Sequence, residues 1–251
     1  MKQFILALLL SVITLLTFGQ KAYFPDVNWE VKKPNELSIN AKLLDSAVSF
    51  AVAHETTKEH DLRIANLKAY VREPDYQIIG PMKERGGPAG IILKNGYIVA
   101  QWGDIKRVDM TFSVTKSFLS TMAGLAVDQG LINNVSDKVK SYVWDGSFEE
   151  AHNAKISWEH LLNQSSDWSG TLFGLHDWAD RPPKEGNITD WKNRIPHQPG
   201  TVFKYNDVRV NLLAYALLQV WRQPLPVVLK ERIMDPIGAS TTWRWYGYDN
   251  S

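Results

Sequence analysis

The sequence predicts an α/β chain of the α+β type, on three observations. Residues 90–103, GIILKNGYIVAQWG, place two β-rich runs on either side of Asn95-Gly96. Residues 113–131 and 207–220 carry apolar side chains at helical spacing. Between these two helices the chain is rich in Trp, Asp, Ser and Gly, with only short helical pieces.

In chain order, the first feature reads as an address. Lys2 precedes the apolar run FILALLLSVITLLTF, and small residues end it at Gly19, so residues 1–19 have the plan of a signal peptide. The run is short for a membrane span, which needs about 20 apolar residues. The expectation is an exported protein, periplasmic or secreted; an anchor that stays uncleaved is the alternative. Residues 21–39 lack periodicity and read as an extended entry segment. In AKLLDSAVSFAVA, residues 41–53, Leu44, Val48 and Val52 recur every four positions, as in an amphipathic helix. Residues 55–72 are charged and weakly helical, and Pro74 and Pro81 interrupt the chain beyond them.

Asn95-Gly96 suits the two positive φ angles of a type I′ turn, so 90–103 forms a hairpin. Ile91, Leu93, Tyr97, Val99 and Gln101 alternate with their neighbours, which predicts one covered face. The helix over 113–131 places Val114, Phe118, Met122 and Leu125 on one stripe and ends near Gly130. Residues from about 132 to 200 read as a helical, loop-rich insertion. Within it Ser157 opens SWEHLLN as an N-cap, with His160 at the capping-box position. After the helix from Asp207, prolines 224, 226 and 236 punctuate the chain. Two strands do not make an independently stable sheet, and no strand-like run comes after Trp245. The expectation is an incomplete sheet, residues 20–251 being the N-terminal portion of a longer domain.

Composition narrows the function classes. A formal charge of +1 offers no electrostatic reason for nucleic acid or an anionic membrane as partner. The absence of cysteine removes disulfides, thiolate nucleophiles and zinc–thiolate sites. His54 and His60 in HETTKEH stand six apart, about 240° around a helix, whereas zinc proteases need a spacing of four. A solvated charged helix is the better reading there. No Gly-x-Ser-x-Gly elbow occurs, and ERGGPAG at 84–90 lacks the Gly-x-Gly-x-x-Gly of a phosphate loop.

FSVTKSFLS, residues 112–120, sets a hydroxyl and an amine three residues apart near a helix start. That spacing puts Ser113 and Lys116 on one face. A serine becomes a nucleophile when a base takes its proton, and a lysine serves as that base if its pKa is lowered. The competing reading is that Ser113 caps the helix and Lys116 is an ordinary surface lysine. The apolar surroundings of Lys116 favour the first. QPGTVFKYND, residues 198–207, adds a Pro-Gly turn and then Tyr205, a residue able to relay a proton between an alkoxide and a leaving group.

Together, SVTKSF, ISWEHLLNQSSDWSG (156–170) and QPGTVFKYNDVRVNLLAYAL (198–217) resemble the serine β-lactamase-related hydrolases. These include class C β-lactamases, D-alanyl-D-alanine carboxypeptidases, esterases and 6-aminohexanoate-dimer hydrolase. The resemblance runs from about 41 to 243 in the family's order. It implies a β-lactamase/transpeptidase-like fold, an antiparallel sheet flanked by helices. It also implies Ser113 as acylated nucleophile, Lys116 as its proton partner, Tyr205 as general acid/base and the Ser113 backbone N–H as one oxyanion donor. The implied substrate is a small molecule or short peptide with an amide, lactam or ester; no metal or cofactor is implied.

Two departures stand out. The family's β-lactamases usually show Tyr-x-Asn, and here the triplet Tyr205-Asn206-Asp207 ends in a carboxylate. Asp207 then either contacts substrate donors or binds Lys116, and an amidase, peptidase or esterase becomes at least as fitting as a lactamase. No Lys-Thr-Gly or His-x-Gly comes after Tyr205. The rival to an enzyme is a penicillin-binding-like sensor or catalytically impaired binding domain of the same fold. Trp158, Trp168, Trp178 and Trp191 either pack the core or line an acyl pocket; Trp168 is the candidate substrate contact.

Overall fold

The computed structural model describes residues 23–73, 76–78, 80–183 and 185–247, so the leader-like stretch 1–19 lies outside the described residues. The described residues fall into two compact units, one within Met1–Thr57 and Gly86–Arg107, the other within Lys58–Arg85 and Val108–Ser251.

In the first unit, helix α1 (Ala41–Ala53) begins where the Asn40 side chain accepts the Leu43 N–H at 3.1 Å. It stops at His54, whose ring stacks on Phe50. The expected charged helix over 54–60 is therefore a loop. In the second unit, Asp61 caps helix α2 (Leu62–Tyr70) by accepting the Arg63 N–H at 2.8 Å.

Strands β1 (Gly90–Lys94) and β2 (Tyr97–Trp102) form the expected antiparallel hairpin. Asn95 and Gly96 take φ values of 52° and 84°, as a type I′ turn requires. A Cβ on Gly96 would lie 2.5 Å from the Tyr23 carbonyl oxygen, so the turn needs glycine for space as well as for φ. The strict alternation does not hold. Ile92 pairs with Ala100 and Leu93 with Ile98, leaving Val99 as a bulge. A bulged residue re-aims the side chains beyond it. Consecutive Ile98 and Val99 are thus both buried, while Ile91 and Leu93 are exposed. The entry segment adds to β2: Lys32 N–H donates to Ile98 O and Ile98 N–H to Glu30 O, each at 2.9 Å.

The second unit holds the main core. Helix α3 (Thr115–Asp128) buries Leu119, Met122, Ala123 and Ala126, an i, i+3, i+4, i+7 stripe displaced from the expected one, and Val114 is exposed. Against it pack residues of the supposed insertion: Ile132, Val139, Phe148, Ile156, Trp158 and Leu161 are all in the same cluster. Between 132 and 172 this loop-rich stretch thus contributes buried side chains to the main core. Residues 132–200 include α4 (Trp158–Leu162), a two-residue pairing of β3 (Thr171–Leu172) with β4 (Leu175–His176), and α5 (Ile188–Lys192). At α4 the capping box forms with His160 in place of Glu: His160 N–H donates to Ser157 Oγ, and Ser157 N–H to the His160 ring. Helix α6 (Asp207–Trp221) runs through the core with Leu212, Ala216 and Leu217 fully buried, and α7 (Leu225–Leu229) comes after it. The Trp221 indole N–H donates to Met122 O, joining α6 to α3.

A buried ionic knot ties the 165–198 segment to α6. Arg209 donates to Trp168 O at 3.0 Å and lies 2.8 Å from Asp167 and 3.0 Å from Asp177. Asp167 also receives Arg194 at 2.7 Å and the His197 backbone N–H at 2.6 Å. Burial raises the Asp167 pKa, but these donors outweigh it and hold the carboxyl well below its usual range.

Two substitutions probe this core. Leu212→Ala, at a fully buried position, lowers the unfolding free energy by about 2–5 kcal/mol in urea titrations. Asp167→Asn costs about 3–5 kcal/mol at pH 7, since Arg209 keeps its charge but loses a buried partner. Because the folded pKa of Asp167 is depressed, its contribution is present above the unfolded value of about 3.9 and is lost as pH falls below it. The Asn variant accordingly has a flatter stability profile between about pH 5 and pH 3, read from urea midpoints, than the unsubstituted chain.

Candidate active site

The site is built where α3 and α6 begin. Ser113 does not cap α3. It lies in a 3₁₀ turn, Phe112–Val114, ahead of the α-helix, and the N-cap position of α3, Val114, makes no side-chain cap. Phe112 before it has φ 45°, a left-handed backbone that costs a non-glycine residue about 1–3 kcal/mol. This tight entry leaves Ser113 exposed. Its Oγ is 2.8 Å from the Tyr205 hydroxyl and accepts from Lys116 Nζ at 3.2 Å.

Tyr205 and Asp207 flank a buried anchor. Asn206, 1% exposed, caps α6 by accepting the Arg209 N–H at 3.0 Å. Its amide donates to Asp177 O at 2.8 Å, and its backbone N–H donates to Gln164 Oε1 at 2.8 Å. The segment leading to it is held to the same loop: Gly200 N–H donates to Ser165 O, and Lys204 N–H to Gln164 O. Gly200 has φ 90°, and a Cβ there would come within 2.8 Å of His160 Nε2, so the Pro-Gly turn depends on glycine. With Asn206 fixed, its neighbours are fixed on the surface beside Ser113.

Asp207 lies 2.7 Å from Lys116 Nζ through Oδ1 and 2.7 Å from Arg181 through Oδ2. Of the two roles the sequence left open for Asp207, substrate contact or partner of Lys116, the geometry displays the second, and both carboxylate oxygens are engaged by cations. Burial pulls the Lys116 pKa down, but the Asp207 carboxylate and Tyr205 more than offset it, and the net direction is upward. Burial alone therefore does not free Lys116 of its proton: beside Asp207 the ammonium form is favoured, and an ammonium donates and cannot accept. In turn, burial raises the Asp207 pKa while Lys116 and then Arg181 bring it below its ordinary value.

Trp168, expected to contact substrate, is a core residue. It is 3% exposed, its indole N–H is used on Ser147 O at 2.8 Å, and its ring packs on Gly170. Its backbone carbonyl takes the Arg209 donor, so the residue belongs to the ionic knot.

Sequence reasoning overlooked Asn206 and Arg181. Asn206 had a readable signal, an Asn immediately before a helical apolar pattern. Arg181, in a Pro-containing loop, had none. Its guanidinium is 4.7 Å from the Tyr205 ring centroid, and Lys116 Nζ is 4.9 Å from it, so two cations attend one phenol.

The Beta-lactamase family model matches residues 90–245, a span that includes Ser113, Lys116, Tyr205 and Asp207. No curated protein matches the chain. Among solved structures it is similar to a Bacillus anthracis protein provisionally described as a 6-aminohexanoate-dimer hydrolase. The identity is 15% and the TM-score 0.40, over 62% of this chain and 47% of that one. The matched region thus spans about half the length of that relative. With more than half of its own length matched by the family model, the chain belongs to the Beta-lactamase family.

Proposed function

We propose that the chain carries the acylation centre of an exported serine hydrolase that cleaves an amide or ester through an acyl-enzyme on Ser113. The observation that carries this reading is the unbroken polar chain Tyr205–Ser113–Lys116–Asp207, with successive distances of 2.8, 3.2 and 2.7 Å. Export rests on the leader-like residues 1–19 alone.

The donor inventory directs the chemistry. Lys116 donates to Ser113 Oγ, so the serine hydroxyl hydrogen is left for the Tyr205 oxygen. As Ser113 Oγ bonds to the carbonyl carbon, its proton moves to the Tyr205 oxygen in concert with the loss of the proton that oxygen already carries, so the phenol is never doubly protonated. Tyr205 passes its own proton to the departing nitrogen or oxygen, and the carbon–leaving-group bond breaks. Tyr205 ends neutral, as it began. Hydrolysis runs the same relay in reverse: water bonds to the acyl carbon, its proton goes to Tyr205 as the proton of Tyr205 returns to Ser113 Oγ, and the acyl carbon–Oγ bond breaks to release the acid. Lys116 stays an ammonium throughout and stabilises negative charge building on Oγ. Asp207 is the counter-charge that keeps it so. Because Asp207 offers no amide N–H to a substrate carbonyl, simple esters and amides suit the site better than acylamino lactams.

The full chain is expected to be labelled by a fluorophosphonate, with Ser113→Ala unlabelled; equal labelling of the two would remove Ser113 from the chemistry. Labelling without turnover of any p-nitrophenyl ester, p-nitroanilide or chromogenic cephalosporin favours the sensor instead. Tyr205→Phe slows ester hydrolysis by about 10²–10⁴-fold, the usual worth of a positioned proton-transfer group. Asp207→Asn lowers the Lys116 pKa, because the carboxylate that raises it is gone. Since activity is lost as pH rises through that pKa, the alkaline limb of the Asn variant's pH–rate profile lies at lower pH than that of the unsubstituted chain.

A further inference from the structure

Arg181 is a hub that the proposed chemistry does not use. Its Nη1 donates to both oxygens of Asp180, at 2.8 and 3.0 Å, and its Nη2 meets Asp207 Oδ2 at 2.7 Å. The same guanidinium covers the Tyr205 ring at 4.7 Å and lies 5.8 Å from the Tyr70 ring. Asp180 is fastened independently, taking the backbone N–H of Asp207, the first residue of α6, at 2.6 Å. Lys204 Nζ donates to the Arg181 carbonyl at 2.8 Å, and Arg181 itself has φ 49°. A loop residue in a left-handed conformation is thus held from both its backbone and its side chain. It bridges two of the groups in the acylation chain without touching Ser113.

We infer that Arg181 is a positioning residue for the acylation centre: by holding one oxygen of Asp207 and covering the Tyr205 ring, it keeps Asp207 on Lys116 and the Tyr205 hydroxyl on Ser113. This rests on the acyl-enzyme reading given above. The geometric reason is the fork. A guanidinium reaches two carboxylates and a ring face in one rigid plane, whereas an ammonium is a point charge. Without it, Asp207 can turn both oxygens toward Lys116 and draw the ammonium away from Ser113 Oγ. The groups that face Asp207 are Lys116 from α3, Arg181 and Asp180 from the loop after residue 179, and Tyr205 ahead of α6. Glu73, just beyond α2, interacts electrostatically with Asp180, Arg181 and Asp207, and Lys204 acts on Asp180. Of these, only Lys116 and Arg181 bring positive charge to the carboxylate itself.

The test compares the full chain with Arg181→Gln and Arg181→Lys, using fluorophosphonate labelling rates across pH and the Asp207 carboxyl ¹³C resonance, assigned with Asp207→Asn. Arg181→Gln is expected to slow labelling about 10- to 100-fold, the scale of a small misplacement of reacting groups. It also moves the Asp207 titration midpoint up, because one of its two cationic partners is gone. Arg181→Lys restores the midpoint, since charge returns, yet recovers only part of the rate, since the fork does not. Labelling of Arg181→Gln at the unsubstituted rate, with the midpoint unmoved, overturns the assignment even if that variant melts at a lower temperature. Full recovery of the rate by Arg181→Lys overturns the fork argument. If the unsubstituted chain itself is not labelled, the acyl-enzyme reading fails and takes this inference with it. An unchanged Arg181→Gln beside a labelled parent defeats this inference alone.

Discussion

Asn206 is the constraint on which the site depends. A residue buried to 1% exposure must satisfy its polar groups or cost several kcal/mol, and here the Asn206 carboxamide and backbone N–H are bonded in three directions at once. It caps α6 through the Arg209 N–H, reaches the Asp177 carbonyl with its amide, and takes Gln164 on its backbone N–H. Each bond ties the start of α6 to the loop-rich stretch beyond α4 or to the helix itself. The two residues on either side of such a fixed point have little freedom left. Tyr205 meets Ser113, and Asp207 meets Lys116, on either side of this anchored residue.

The ionic groups around this point divide into two sets with different physical consequences. Asp167, Arg194, Arg209 and Asp177 are largely buried, and they hold the 165–198 segment onto the helix. Lys116, Asp207, Arg181 and Asp180 are partly exposed and lie beside the Ser113–Tyr205 pair. In the second set, charge is balanced: two cations face two carboxylates. That balance is why burial does not turn Lys116 into a free amine. Beside Ser113, the Asp207 carboxylate answers the Lys116 ammonium and favours its charged form.

Much of the fold was legible locally. The Asn95-Gly96 turn, the hairpin around it, the α1 and α6 helices and the Ser157–His160 cap are all decided by residues within a few positions of one another, and the structure shows each. The misreadings share a cause. The bulge at Val99 changes which faces of the hairpin are covered, and a bulge is set by what the partner strand pairs with. The buried stripe of α3 is displaced from the periodic one because neighbouring elements choose which flank of a broadly apolar helix to cover. The supposed insertion contributes Trp158, Phe148 and Ile156 to the main core, although its sequence reads as loop.

For the site, the sequence by itself determined the chemical inventory: a hydroxyl and an amine three residues apart on one helical turn, and a phenol and a carboxylate around Asn206. Those come from covalent order and helical geometry, which need no tertiary contact. Only the folded chain decided how they meet. It brought residues 113 and 205 within 2.8 Å across a separation of 92 positions, and it put Trp168 in the core instead of at the site. It also set Arg181 against Asp207 and Tyr205, and it made Lys116 a held cation. Burial and charge balance are properties of what surrounds a group in space, and no spacing along the chain encodes them.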